Sequence, residues 1–341
     1  MPIDISYKAI FKILGVFFLL FLLFQVIDVL IIVFMSVVIA SAIKPVVNYI
    51  TKVGIPRGIS IFVVLFSFFA LFGTLLFFGV APIVTQISNF VNNFGHFLDT
   101  INANYNLQIQ YDKDSITKFL TQLTPNIGST FADTSNQVLS LGRGLLNGLL
   151  FTLALLVLTF YQLLEENKIS NFVASLFHSN SDKVKHIITQ SENKLGAWFR
   201  GQLSLMLFIG VITFLGLSVL SFFNPALAEF ALPLALIAGV LEIVPLLGPA
   251  LALIPALFVG ATISWQFMVA VLIVYLVIQQ IETNVVIPRV MNRAVGIDPV
   301  IVIIGIMVGN TLMGPLGSLL SVPVMAVLSV MYEEWKSNSE N

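Results

Sequence analysis

The strongest constraint on the fold of this 341-residue chain is a series of apolar runs, several of them long enough to cross a bilayer. Hydrophobic residues make up 58% of the chain and charged residues 10%, and the mean hydropathy is +1.00, well outside the range of ordinary soluble domains. The runs lie at 10–25, 27–43, 59–83, 144–164, 203–223, 229–245, 247–263, 266–287, 298–313 and 316–332. They predict an all-α, polytopic helical membrane protein.

Several of the later runs are short or interrupted by glycine and proline, which predicts broken or re-entrant helices. The clearest interruption follows Glu242, an acidic residue in the apolar stretch 239–255. The helix-breaking residues of this stretch are Pro245, Gly248, Pro249 and Pro255. Such breaks occur at bilayer depth where the freed backbone groups meet protein, water or a solute, and an ionisable side chain there usually faces a pathway or a partner. Glu242 is therefore a candidate transport residue, with a structural hydrogen bond as the alternative.

A second polar cluster closes the run at 266–287. It holds Gln279, Gln280, Glu282, Thr283 and Asn284. Positions three to four residues apart share a helical face, so amides and an acid are expected side by side. The alternative is that Glu282 lies at an interfacial helix end, where polar residues are ordinary. We predict a transport or ion-coupling site from Glu242, Glu282, Gln279, Gln280 and Asn284.

A faint internal repeat favours transport. Gly248-Pro249 is followed by Pro255, and Gly314-Pro315 is followed by Pro323. Paired broken segments in corresponding halves of a chain indicate a substrate site in many transporters. The match is short, so coincidence is the competing explanation.

The apolar runs and the loops between them divide the chain into four parts. These are N-terminal transmembrane helices (1–83), an extracytoplasmic helical arm (84–142), a transmembrane helix with a cytoplasmic amphipathic link (143–200), and a C-terminal core with broken helices (201–333). Lysines and arginines concentrate before the first run, between the second and third, and within 165–200, which places the N-terminus, this link and the C-terminus in the cytoplasm. We expect a multi-pass protein of the bacterial inner membrane.

The predicted arm carries an amphipathic stripe. Its apolar residues recur at three- and four-residue spacing from Ile87 to Ile101, the pattern of one helical face. The stripe packs either on the membrane domain or against a neighbouring subunit. The second alternative predicts a homo-oligomer.

Several functions are excluded or unsupported by the sequence. The chain has no phosphate-binding loop for ATP and no nucleophile elbow of a hydrolase, so we expect neither an ATP-driven pump nor an enzyme. It has no cysteine, its three histidines lack the spacing of metal ligands, and its net charge of −1 gives no footprint for nucleic acid. We predict no cofactor and no metal. The expected partners are the lipid bilayer and a small polar solute, or cations and protons.

Beyond these local patterns, the sequence resembles the bacterial autoinducer-2 exporter family of membrane proteins. The motifs that carry the resemblance keep their order over nearly the whole chain. They are Gly54-Ile-Pro56-Arg57, Gly201-Gln202-Leu203, Glu242-Ile-Val-Pro-Leu-Leu-Gly-Pro249 with Pro255, Gln280-Ile-Glu282 with Asn284 and Pro288, and Gly314-Pro-Leu-Gly317 leading to Pro323.

The resemblance implies an inner-membrane transporter that works without ATP and assembles as an oligomer, a pentamer in our expectation. Family members export the quorum-sensing signal autoinducer-2, and some exchange sodium for protons. The sequence thus leaves three functions: export of a small polar solute, cation/proton antiport, and a non-transporting membrane scaffold.

Overall fold

The structure is a computed structural model, and it describes residues 18, 21–22, 25–75, 77–78, 136–166, 168–177, 180–244, 247–287, 289, 296 and 298–339. All of its regular elements in these ranges are helices, which confirms the predicted fold class. Most of the first predicted run, and the arm stripe from Ile87 to Ile101, lie outside the described residues.

We number the helices in chain order. They are α1 (Ile27–Lys52), α2 (Arg57–Leu75), α3 (Asn136–Leu164), α4 (Lys168–Ser175), α5 (Ser181–Ser221), α6 (Ala228–Leu241), α7 (Leu247–Ile263) and α8 (Trp265–Ile281), which continues as a π-helix (Glu282–Val286). The last helix, Pro299–Ser339, has non-helical backbone at Met313 and Gly314, which divides it into α9 (299–312) and α10 (315–339). Among the described helices, five are long and apolar enough to cross a bilayer when Pro299–Ser339 is counted once.

Helices α9 and α10 fold back on each other as a hairpin. A side chain on Gly305 would meet Met325, and one on Gly309 would meet the backbone of Gly317. In a straight helix Gly305 and Met325 would lie about 30 Å apart. Gly314 makes the reversal with a φ of 62°, a left-handed conformation that glycine adopts without strain.

A second hairpin joins α6 and α7. Gly248 lies directly against the backbone of Leu241 and Glu242, which only a residue without a Cβ permits. Both helices are shorter than a full span, at 14 and 17 residues. The glycine- and proline-rich stretches of the sequence therefore form hairpin turns, as expected for re-entrant elements.

Helix α5 connects the two packing units of the protein. Its 41 residues contain no proline, and the second part of the predicted cytoplasmic link, from Ser181, forms one continuous helix with the predicted span at 203–223. The domain boundary expected at 200 lies inside this helix. The N-terminal half, with Trp198 and Phe199, packs with α1, α2, α3 and the α9–α10 hairpin. The C-terminal half, with Ile209 and Leu217, packs with α6, α7 and α8.

An ion-pair cluster ties α1, α2 and α3 together at one end of the bundle. Glu166 lies 2.8 Å from Lys44 and 2.7 Å from Arg57, and Arg57 also donates to the terminal carbonyl of Leu163 at 2.7 and 2.9 Å. Burial by itself would raise the pKa of Glu166, but Lys44 and Arg57 together hold that pKa below its usual value. Pro56 accepts the first hydrogen bond of α2, from Ser60 N–H at 3.0 Å. The motif residues Pro56 and Arg57 thus shape and fasten the α1–α2 turn.

Candidate functional site

The candidate site is built around the turn of the α6–α7 hairpin. Helix α6 ends at Leu241, and Glu242 follows in a turn in which Ile243 N–H and Val244 N–H donate three residues back. The side chain of Glu242 is only 1% exposed. Pro245, predicted to break this element, lies outside the described residues. The hairpin turn therefore brings a carboxyl group into the interior of the C-terminal packing unit.

Gln202 holds this turn from the middle of α5. Its Nε2 donates to the backbone carbonyl of Glu242, one of the groups that the helix end leaves without an intrahelical donor. Gln202 is fully buried, and ten residues of α5 separate it from Glu192 near the ion-pair cluster. That separation is about 15 Å along a helix, half the thickness of a bilayer's hydrocarbon core of about 30 Å.

Helix α8 contributes the other residues of the candidate site. Tyr275, Gln279 and Glu282 follow one another at intervals of four and three residues, so they lie on one helical face. Glu282 is 3% exposed, so its side chain is buried within the protein. At Glu282 the helix widens into a π-helix, a local distortion often found at functional sites.

Glu242 and Glu282 are both buried, and their carboxyl groups are close enough to interact with each other. An ionised carboxylate only accepts hydrogen bonds, so a bond between two carboxyl groups requires that one of them carries a proton. Two adjacent buried carboxylates would also repel each other strongly in a medium of low dielectric constant. The arrangement therefore suits a pair that shares one proton.

A cavity of about 160 Å³ opens beside this pair, between α5, α6, α7 and α8. Its described polar lining residues are Thr213, Tyr275, Gln279 and Glu282, and Pro249 at the start of α7 also lines it. The remaining described lining residues are apolar: Ile209, Ala238, Ala250, Ala252, Leu253, Leu276 and Ile278.

Four buried polar atoms at this site have no hydrogen-bonding partner among the residues that the structure describes. They are Glu242 Oε2, Gln202 Oε1, Thr213 Oγ1 and Tyr275 Oη. Buried polar groups of native proteins are nearly always satisfied, and each exception needs an explanation. Two of the four residues, Thr213 and Tyr275, also line the cavity, whereas Glu242 and Gln202 are not among its described lining residues.

The structure separates the other predicted site residues from this cavity. Gln280 and Asn284 are exposed on another face of α8, where Asn284 Nδ2 donates to Gln280 O at 2.9 Å and to Gln280 Oε1 at 3.0 Å. Helical periodicity explains the split, because a one-residue step turns the side chain by about 100°.

The predicted breakers also divide between the two hairpins. Pro255 is buried inside α7, whereas Gly314, Pro315 and Pro323 belong to the α9–α10 hairpin, and none of these three is among the described lining residues of the cavity. Gly201 precedes Gln202 in α5.

Thr213 and Tyr275 were not predicted as site residues from the sequence, although their helical spacing relative to predicted residues could have indicated both. Tyr275 lies one helical turn before Gln279, on the face that already held Gln279 and Glu282. Thr213 lies eleven residues after Gln202, which is about three turns and therefore the same face of α5.

Apolar helices long enough to cross a bilayer, together with a buried acid at the turn of a short apolar hairpin, are typical of membrane transport proteins. A model of the AI-2E family of transporters matches residues 11–337. The chain belongs to that family.

Relatives with similar sequences are named for transport. YrrI of Bacillus subtilis, named as a candidate transport protein, is 28% identical over 300 residues, which covers 87% of this chain and 83% of YrrI. A sodium-lithium/proton antiporter of Halobacillus andaensis is 24% identical over 292 residues, covering 80% of this chain and 79% of the antiporter. The AI-2 transport protein TqsA of Escherichia coli is 32% identical over 108 residues, about 31% of each chain.

Proposed function

We propose that this protein is a secondary transporter that exports a small polar solute resembling autoinducer-2 and couples the export to proton movement through Glu242 and Glu282. The observation that carries the proposal is the burial of two acidic side chains that interact with each other, Glu242 at the hairpin turn and Glu282 at the end of α8. Burying acids is costly, so they are retained where they have a function. No phosphate-binding loop for ATP occurs in the sequence.

The coupling follows from the proton that the pair shares. With one proton the pair carries a single negative charge, and with two it is neutral. A neutral pair moves through a low-dielectric interior at lower cost than a charged pair. A hairpin turn that faces each side of the membrane in succession would therefore exchange a proton for solute.

Cation/proton antiport is the second candidate, and a specific observation favours it. Glu242 Oε2 and Gln202 Oε1 are buried oxygen atoms without a partner among the described residues, and hard cations prefer oxygen ligands. The Halobacillus relative is named for this exchange. In this alternative, sodium and the proton compete for the same carboxyl pair.

A scaffold without transport activity has no need of buried acids or of a polar cavity. We therefore favour transport, in the inner membrane, with both termini in the cytoplasm. The protein would act as a homo-oligomer, with a pentamer as the expected assembly.

Proteoliposomes test the proposal and separate the two candidates. The purified protein is reconstituted with a pH-sensitive dye inside, and proton flux is recorded after autoinducer-2, sodium chloride or choline chloride is added outside. Flux that depends on autoinducer-2 supports solute export, and flux that depends on sodium but not on choline supports antiport. Proton flux that responds to neither would contradict proton-coupled transport of both kinds.

A further inference from the structure

The short helix α4 leaves the end of α3 almost at a right angle. Its axis is turned by 84° from the axis of Gly148–Leu164, the apolar part of α3. Where α3 crosses the bilayer, α4 therefore runs nearly parallel to the membrane plane. With eight residues it is about 12 Å long, far too short to cross a hydrocarbon core of about 30 Å.

The corner between α3 and α4 is charged. Glu166 forms ion pairs there with Lys44 and Arg57, and Lys168 Nζ lies 2.6 Å from Glu165 Oε1. Charged side chains are costly within the bilayer and ordinary at its boundary with water. The corner therefore marks the level of the membrane surface, and α4 begins at that level.

The side chains of α4 divide into faces at helical spacing. Ser170 and Ala174, four residues apart, are buried where α4 packs on α5. Ile169, Phe172 and Leu176 follow one another at intervals of three and four residues, and they are 53%, 67% and 62% exposed. Leu176 directly follows the helix and stays in its register, since its N–H donates three residues back at 3.2 Å. These three side chains form one exposed apolar face.

The remaining face of α4 is polar. Lys168, Asn171 and Ser175 recur at the same spacing, and all three are exposed. A position in water would leave a contiguous apolar face uncovered, and full immersion in lipid would bury a lysine and an amide. Only the boundary between lipid and water suits both faces at once.

The apolar face begins on the side of α4 from which the membrane-spanning helices extend. Ile169 lines a cavity of about 50 Å³ together with Val37 and Ala40 of α1. Val37 lies seven residues before Lys44, which is about 10 Å along α1 away from the charged corner. The apolar face is thus directed toward the bilayer interior.

We propose that α4 is an interfacial anchor, whose face of Ile169, Phe172 and Leu176 is embedded in the lipid of the membrane surface. The face that carries Asn171 and Ser175 is in contact with water. The occupant of the apolar face is lipid and not a second protein chain. This inference concerns membrane attachment and does not rest on the proposed transport activity.

An anchored α4 also fixes the depth of the candidate site. Ser170 of α4 and Glu192 of α5 line the same small cavity, so this part of α5 lies near the level of the membrane surface. Gln202, which holds the turn at Glu242, follows Glu192 by about 15 Å along α5. The carboxyl group at the hairpin turn then lies near the middle of the bilayer.

Spin labels on single cysteines test the proposal, because the chain has no cysteine of its own. Phe172→Cys and Leu176→Cys probe the apolar face, and Asn171→Cys and Ser175→Cys are matched controls on the polar face of the same helix. Val157→Cys in α3, where the side chain is 51% exposed, is the reference for a position in contact with lipid. The labelled full-length protein is reconstituted into phosphatidylcholine liposomes. Collision of each label with oxygen, which concentrates in lipid, and with a water-soluble nickel chelate is measured by electron paramagnetic resonance.

We expect oxygen collisions to exceed nickel collisions at positions 172 and 176, as at 157, and the reverse at 171 and 175. The apolar labels should lie about 5–10 Å below the headgroup level. Nickel-dominated collisions at all four positions would place α4 in water and overturn the proposal. Weak collision with both reagents at 172 and 176 would mean that a second protein chain covers the face, and oxygen-dominated collisions at all four would bury α4 in the bilayer; either result contradicts an interfacial anchor. Because each face carries two labels, the second one decides if a variant fails to fold.

Discussion

At the scale of single residues, the pair Glu242 and Glu282 shows what can and cannot be predicted from sequence patterns. An acid in an apolar run is conspicuous in a sequence, so both residues could be selected from it. Their contact could not be predicted, because it depends on the close approach of two helices. The two helices that carry these acids, α6 and α8, both pack on α5: an added Cβ on Gly239 would lie 2.8 Å from the carbonyl oxygen of Met206, and one on Gly216 would lie 2.7 Å from Val274.

Gln202 is a residue whose role only the structure reveals. It was selected as part of a motif, and the structure gives it a bond to the carbonyl of Glu242 and a second amide atom, Oε1, without a described partner. Gln202 therefore positions the turn of the α6–α7 hairpin as well as belonging to α5.

We predict that Gln202→Leu lowers proton flux about tenfold, the factor that corresponds to roughly 1.4 kcal/mol, because Glu242 loses its support. The control is Gln162→Leu, which removes another interhelical amide bond, Gln162 Nε2 to Ser36 Oγ at 2.7 Å, away from the site. Both variants should lower stability by about 1–3 kcal/mol. Flux is compared at equal amounts of folded protein, and equal loss in the two variants would reduce Gln202 to a structural role.

At the scale of helices, the positions of glycine and proline predicted the hairpins well, because these residues interrupt a helix locally. The breaks expected after Glu242 and at Gly314-Pro315 are both present as reversals of the chain. The continuity of α5 was not predicted, since its amphipathic first half and apolar second half resemble two different elements. Composition changes along α5, but no residue there stops a helix.

Gly248 provides a prediction at this scale. Its substitution by alanine would press a methyl group into the carbonyl of Leu241, and backbone atoms cannot move aside cheaply. We expect Gly248→Ala to destabilise the protein by about 1–3 kcal/mol, the usual cost of overpacking. The matched control is Gly148→Ala in α3, where an added Cβ meets nothing within 4 Å. Thermal melting in detergent is the measurement, and identical melting of the two variants would mean that the hairpin is not closed at Gly248.

At the scale of the whole molecule, ion pairs join charged groups of α1, α5 and α10 at one side of the bundle. Lys194 lies 2.9 Å from Glu333 of α10, and Lys44 lies 3.9 Å from Glu192 of α5. All four belong to segments for which the basic loops predict a cytoplasmic position. The sequence predicts on which side of the membrane these segments lie, and the structure adds that they contact one another.

Orientation is tested with single cysteines in a chain that has none of its own. We predict that Cys at position 104, replacing Asn104 of the arm, reacts with an impermeant thiol reagent on whole cells, whereas Cys replacing Ser181 at the start of α5 reacts only after lysis. Labelling of position 181 but not of position 104 in intact cells would reverse the map. Assembly through the arm stripe, Ile87 to Ile101, lies outside the described residues and stays a prediction.

The central claim is that Glu242 carries charge or a proton during transport, and Glu242→Gln tests it most directly. Glutamine keeps the size of the side chain and removes the titrating group. The control is Glu229→Gln, the same substitution at an exposed position in the first turn of the same helix, α6. Proton flux into proteoliposomes is measured at matched reconstitution. The account predicts flux near background for Glu242→Gln and near wild type for Glu229→Gln, and wild-type flux in Glu242→Gln would contradict it.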